Sequence, residues 1–350
     1  MSIVFAILLF SVLIFVHELG HFLVAKLSGV QVNEFAIFMG PAIFKKQIGE
    51  TLYSIRCIPI GGYCAMEGED EDTDSPRSFQ KAVWWKRLAI LLAGSAMNFI
   101  AGFLIMVLVF APAKQFVVPV VSQVEAGCSF AGENGIQVGD ELLELDGEKI
   151  YVQSNFSMLM ALKPADTHTI VVERNGERVT LENLVMEQKI FNNEETPRYG
   201  FAFSTEDANF KNTMAYVWNT SVDTVRTVRL SLQMLVSGQA KVTDLTGPVG
   251  IVQIMSETAE ASDTAKDAFY NMLYFGGFIA FNLAVMNLLP IPALDGGRAV
   301  GLLLTTAIQA VTKKKISPKV EGYIHGAGMV LLLILMAVLM FKDIFMIFKR

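Results

Sequence analysis

Apolar residues gather into four long runs, and the chain between those runs turns either alternating or polar. The runs extend from about Ile3 to Leu27, Leu88 to Ala111, Asn271 to Leu289 and His325 to Phe341. A helix rises about 1.5 Å per residue, so each can cross a hydrocarbon core of about 30 Å. The pattern predicts four transmembrane helices. Between the first two, Val32 to Met66 is rich in aromatic and β-branched residues broken by Gly40-Pro41 and Gly61-Gly62. Such punctuation predicts short strands. A hairpin this apolar can lie on the membrane surface, or re-enter the membrane if protein covers its backbone; the pattern leaves both open.

The character changes at about Lys114. Val117 to Val121 reads as a strand, and two alternating segments follow around Asp146-Gly147 and Asn175-Gly176, both hairpin-type turns. From Phe210 to about Asp267 the chain is polar with apolar periodicity, including Val222, Val225, Leu230, Leu232 and Leu235. This predicts an amphipathic helix. Thr246-Gly247-Pro248-Val249-Gly250-Ile251 reads as a turn with a short element after it. The expected fold class is therefore a multi-pass α-helical membrane protein with a membrane-associated β-hairpin and an inserted, mainly β domain.

Composition agrees, since 53% of the 350 residues are hydrophobic and only 18% are charged. A soluble domain of this size carries more charge. A net charge of -6 argues against nucleic acid as a partner. Cys57, Cys64 and Cys128 are too unevenly spaced for a disulfide framework or a metal cluster. The first apolar run lacks a basic leader and a small-residue cleavage site, so a retained span is expected rather than a signal peptide. Glu67 to Asp72 reads as a solvated acidic loop.

Within the first run stands His17-Glu18-Leu19-Gly20-His21. On a helix, this spacing places both imidazoles on one face with the carboxylate beside them. Two such ligands suit a tetrahedral zinc, and the glutamate suits proton transfer from its water. Ionisable groups inside a span are costly, so their presence points to function. The bland alternative is a chance five-residue match on a helix whose histidines are merely hydrogen-bonded.

A third ligand must lie at the same depth. Lys45, Lys46, Arg56, Arg77, Lys81, Lys86 and Arg87 mark the first loop as cytoplasmic, and Arg298, Lys313, Lys314, Lys315 and Lys319 the last. Lys349 and Arg350 weigh mildly against this. The N-terminus, the inserted domain and the C-terminus are then outside. The first and third spans run parallel, and His17 lies roughly 20 Å down the first by helical rise. Asn287-Leu288-Leu289-Pro290-Ile291-Pro292-Ala293-Leu294-Asp295-Gly296-Gly297 ends the third span at similar depth. Its prolines break the helix and let an irregular segment carry Asp295 inward, acceptable where it lines a cavity. Glu34, Glu50 and His325 are competing ligands, but neither acid lies in an apolar context, and a histidine at a helix start is commonly interfacial. Two imidazoles and a carboxylate leave the fourth position free for water.

These features together resemble the site-2 protease family, the bacterial RseP/RasP-type regulated intramembrane zinc metalloproteases, over essentially the whole length. The resemblance rests on His17 to His21, on Asn287 to Gly296, on Gly247-Pro248-Val249-Gly250-Ile251, and on Gly135 to Gly147, which matches a PDZ signature. A single PDZ domain is similar to the Gram-positive-type members. Gly94-Ser95-Ala96-Met97-Asn98 keeps the glycine and asparagine of a family motif but lacks its proline.

The resemblance implies zinc held by His17, His21 and Asp295, Glu18 as general base, and Asn282 and Asn287 at substrate-binding positions. It implies hydrolysis within the transmembrane segments of single-span proteins such as anti-sigma factors or signal peptide remnants. It also implies a re-entrant β element presenting a strand edge to the substrate. Residues 1–113 would hold the first two spans, 114–205 the PDZ domain, 206–270 an amphipathic region, and 271–350 the last two spans. The expected place is the bacterial plasma membrane, with the active site in its cytoplasmic half. The rivals are a non-catalytic PDZ membrane scaffold, and a zinc transporter or sensor, which would need further ligands along a path.

Overall fold

The computed structural model describes residues 2–69, 73–132, 134–162, 165–191, 197–240, 245–313 and 318–349. Asp70, Glu71 and Asp72 of the acidic loop, Glu133 of the PDZ-like run, and Lys314 and Lys315 of the last basic loop fall outside them. The chain forms two compact units, Met1–Val109 with Thr224–Arg350, and Phe110–Asp223.

In the first unit, α1 (Ser2–Ser28) takes up the whole first apolar run. Gly29, at φ +83°, ends it. The Val30 amide donates to Ala25 O at 3.0 Å and the Gly29 amide to Lys26 O at 3.1 Å. That pair of bonds closes a helix through a left-handed glycine and satisfies carbonyls otherwise left without partners. Val30 and Ala25 are buried in one apolar cluster, which fixes how the chain leaves the helix.

Two long strands follow, β1 (Val32–Ile48) and β2 (Thr51–Met66), where the sequence predicts several short ones. Both bend, so the pair folds into four paired segments. Residues 42–48 pair with 51–56, and Glu34 to Ile37 pair with Cys64 to Gly62 and Ala65 on one side. On the other side Glu34 meets Leu52, Phe35 Tyr53, Ala36 Ser54 and Ile37 Ile55, numbers rising together. Phe38, Gly40 and Gly61 have positive φ where the strands bend. The sheet lies along α1: Lys26 Nζ reaches Glu50 Oε1 at 2.6 Å, and Ser11 Oγ reaches Pro59 O at 3.4 Å. Fifteen helical residues, about 22 Å, separate those two contacts.

Helix α2 (Trp84–Phe110) begins four residues before its apolar run. Ile90, Gly94, Asn98, Gly102 and Met106 are buried at every fourth position. Small residues in such a stripe let helices approach closely.

The second unit holds β3 (Gln115–Val124), β4 (Glu141–Leu145), β5 (Glu148–Lys149), α3 (Ser154–Leu162), β6 (His168–Arg174), β7 (Glu177–Leu184) and β8 (Phe201–Asp207). The sheet order is β7-β6-β4-β3-β8, with β5 paired to β4. Asp146, Gly147, Asn175 and Gly176 all have positive φ, as two-residue hairpin turns of this type require. Leu142, Leu145, Phe156, Leu159, Ile170 and Val172 form the core. Fully buried Asp140 is satisfied by Arg174, whose Nε and Nη2 donate at 2.7 and 2.8 Å.

Helix α4 (Phe210–Val236) begins in this unit and ends in the first. Its buried stripe runs through Val217, Ser221, Thr224 and Val228, while Val222 and Val225 are only half-buried. Threonine and serine therefore share the buried face that the apolar periodicity assigns to valine. Next come α5 (Pro248–Glu260), α6 (Ala265–Asn287), α7 (Asp295–Thr312) and α8 (Pro318–Lys349). The turn at Gly247-Pro248 opens a full helix, α5, whose Gly250 amide donates to Asp343 of α8 at 2.8 Å. Helix α6 starts six residues before the predicted span because Thr264 caps it, accepting from the Asp267 amide at 3.1 Å. Helix α7 has no counterpart in the sequence reading. Its Gly296-Gly297 start and the lysines that follow Thr312 look like a loop, yet Ala299 and Leu302 bury one face. Among the described residues four helices are long and apolar enough to cross a membrane: Val4–Ser28, Trp84–Phe110, Ala265–Asn287 and Gly322–Met346.

Candidate active site

Helix spacing brings His17 and His21 of α1 to one face, and the close crossing with α2 encloses them. A β-carbon on Gly94 would stand 2.4 Å from His21 Nε2 and 2.6 Å from His17 Cε1. Only glycine lets the α2 backbone pass so near both rings. One turn earlier in α2, Ile90 O accepts from His21 Nδ1 at 2.8 Å. That bond puts the ring proton on Nδ1 and leaves Nε2 as the free lone pair. One turn later, the buried Asn98 amide lies 3.3 Å from His17 Nδ1. Asn287, at the end of α6, lies 3.5 Å from the same nitrogen.

Asp295 arrives from the opposite side, as the first residue of α7. Its Oδ2 lies 3.1 Å from His17 Nε2 and 3.2 Å from His21 Nε2, and the two Nε2 atoms are 3.2 Å apart. Tetrahedral zinc ligands at about 2.0–2.1 Å from the metal lie about 3.3–3.4 Å from one another, so this triangle fits. A second observation agrees. Asp295 Oδ2 is buried yet receives no hydrogen bond of good geometry. Three potential ligand atoms converge on one point, an arrangement that a cation would satisfy. No other group of three His, Cys, Asp or Glu side chains among the described residues could hold a metal ion.

The competing ligands are accounted for elsewhere. Glu34 accepts from Ser54 Oγ at 2.6 Å and Arg56 Nη2 at 2.8 Å. Glu50 pairs with Lys26 and Arg77, which hold its carboxyl at a pKa of about 2, well below the usual range. His325 accepts from the Ala293 amide at 3.1 Å rather than facing the triangle. Glu18 follows His17 on α1, and a β-carbon on Gly62 of β2 would lie 3.5 Å from its Cγ, so the sheet flanks this carboxylate. Asn282 is half-buried one and a half turns before Asn287, and among the described residues no hydrogen bond ties it to the histidines. Asn98 and the Ile90 carbonyl are the contacts that sequence reasoning missed. The Gly94-to-Asn98 motif held the only signal, and a backbone carbonyl gives none.

The chain matches the model of "Peptidase family M50" over residues 5–335. A protein of Clostridium acetobutylicum named as a zinc metalloprotease is 36% identical over 346 residues, covering 98% of this chain and 97% of the relative. A Fusobacterium nucleatum protein of similar name is 32% identical over 370 residues, covering all of both chains. The "Regulator of sigma-W protease RasP" of Bacillus subtilis is 27% identical over 428 residues, covering 98% of each.

Proposed function

The chain belongs to peptidase family M50, and on that premise we propose that it cuts single-span membrane proteins within their transmembrane segments. It is a zinc metalloprotease, and its spanning-length helices and bacterial relatives make it a bacterial membrane protein. The residue roles, the substrates and the topology are our reading. One observation carries it: three ligand atoms converge at 3.1–3.2 Å among helices long enough to span a bilayer.

His17, His21 and Asp295 hold the zinc. When bound, the metal brings the pKa of a water toward about 7 and polarises the scissile carbonyl. Glu18 takes the proton of that water and returns it to the leaving amine. Ile90 and Asn98 orient the two rings. Asn287 is close enough to His17 to aim its amide at the carbonyl oxygen as charge develops there. Asn282, farther along α6, is assigned a substrate contact rather than a role at the reacting atoms.

A helical substrate hides its carbonyls in internal hydrogen bonds and must unwind before attack. Residues 58–66 form an outer segment of the β1–β2 sheet and pass beside Glu18 at Gly62. Addition of an extended substrate segment to that edge would hold it open. The 22 Å course of the sheet along α1 supports re-entry into the membrane over a surface position. We read the second unit as a PDZ domain, supported by its sheet order and by α3 between β5 and β6. Loop charge supports a position outside the cell for it and the cytoplasmic half of the membrane for the metal site. Anti-sigma factors fit as substrates, since the B. subtilis relative is named a regulator of sigma-W protease; signal peptide remnants share the same single-span chemistry.

A non-catalytic scaffold has no use for Glu18. Glu18→Gln is tested in cells with a tagged single-span substrate, alongside zinc analysis of the purified protein. We expect cleavage to fall by at least about 100-fold while zinc stays bound. Undiminished cleavage would overturn the reading in favour of a scaffold.

A further inference from the structure

The loop Leu288–Leu294 carries Asp295, and most of its hydrogen bonds are local. The Leu289, Ile291 and Leu294 amides all donate within the loop or to the end of α6. Ala293 is different. Its φ is +82°, a conformation unfavourable for a non-glycine residue that persists only where surroundings impose it. This conformation turns its amide out of the loop toward α8, where it donates to His325 Nδ1 at 3.1 Å.

Two residues share that contact. Gly328, one turn beyond His325, is buried so tightly against the loop that a β-carbon would stand 2.5 Å from Pro292 O. His325 and Gly328 thus grip consecutive loop residues, Ala293 and Pro292. Ala293 and His325 both line a cavity of about 420 Å³, together with Phe79, Leu91 and Arg298. On that side the loop borders open space, and the hydrogen bond to His325 is a contact that holds Ala293 there.

We propose that His325 is a positioning residue for the metal site: its Nδ1 holds the Ala293 amide, fixes the strained turn, and so sets where the Asp295 carboxylate points. An amide only donates, so Nδ1 must be the unprotonated ring nitrogen. The role rests on the assignment of Asp295 as a ligand. Outer partners of metal ligands typically contribute about 10–100-fold to metal affinity or activity.

Two substitutions separate the acceptor from the bulk. His325→Asn places an amide oxygen near the position of Nδ1, whereas His325→Phe fills the space without an acceptor. The full-length protein in detergent is titrated with a zinc chelator, and kcat and KM are measured on a single-span substrate. We expect His325→Phe to release zinc about 10–100-fold more readily and to lower kcat, while His325→Asn stays within about threefold of the parent. Wild-type zinc retention in His325→Phe, or an equal loss in His325→Asn, would overturn the proposal.

A third measurement needs no variant. Amide exchange in the metal-free parent should show Ala293 protected, and exchange there at the unprotected rate would also overturn it. Full zinc retention in Asp295→Ala would instead sink the ligand assignment, leaving the Ala293 protection unchanged.

Discussion

His17 and His21 stand on an uninterrupted helix, whereas Asp295 stands at the end of an irregular loop between α6 and α7. The histidine side is rigid by construction. A four-residue spacing and a close glycine crossing confine both rings, while the Ile90 carbonyl holds His21 and Asn98 lies beside His17. The aspartate side is assembled from pieces: a helix broken by Pro290 and Pro292, a left-handed Ala293, and a contact to α8. A metal joining two such sides inherits strength from the first and adjustability from the second.

The sharpest way to break the rigid side is at the crossing. Gly94→Leu drives a side chain into space occupied by both imidazoles. Zinc binding should be lost outright, by more than about 100-fold. Metal analysis of the purified variant checks this, and near-normal zinc content would show that the helices part easily.

How legible each side was follows from the same contrast. The pairing of His17 and His21 on one helix face could be read from five residues because helix geometry is local, and Asn287 to Asp295 stands out through prolines in an apolar run. The Ile90 carbonyl could not be read, since a main-chain acceptor has no residue signature. His325 looked interfacial because its partner is a backbone amide 32 residues away. Helix α7 was hidden by Gly296 and Gly297, which serve close packing against loop carbonyls rather than flexibility. The bent strands read in sequence as several short ones, because Gly-Pro and Gly-Gly mark bends as readily as ends.

A smaller effect sharpens the comparison within the rigid side. Asn98→Ala leaves Ile90 holding His21 but removes the nearer of the two amides beside His17 Nδ1, leaving Asn287 at 3.5 Å. Zinc retention under chelator competition should fall by about 10–100-fold, short of the loss at Gly94. No change would mean that the helix and Asn287 orient His17 without Asn98.

The smallest effect lies far from the metal, where Glu50 ties the β1–β2 turn to Lys26 and Arg77. Those cations lower its pKa from 4.5 to about 2 in the folded protein. Its contribution to stability is therefore complete above pH 4.5 and is lost as pH falls toward 2. Exposed pairs contribute at most about 1 kcal/mol. Thermal melts of Glu50→Gln should show a slightly lower plateau near neutrality and a shallower acid decline, with zinc retention unchanged. A fall in zinc retention would show that the sheet and the metal site are coupled more tightly than the geometry indicates.

The most direct test is zinc K-edge X-ray absorption on the purified full-length protein and on Asp295→Ala. The account predicts a sulfur-free shell of nitrogen and oxygen at about 2.0–2.1 Å with two imidazoles in the parent, and a weakened or absent zinc signal in the variant. A sulfur ligand at about 2.3 Å, or an Asp295→Ala spectrum identical to the parent at full occupancy, would contradict it.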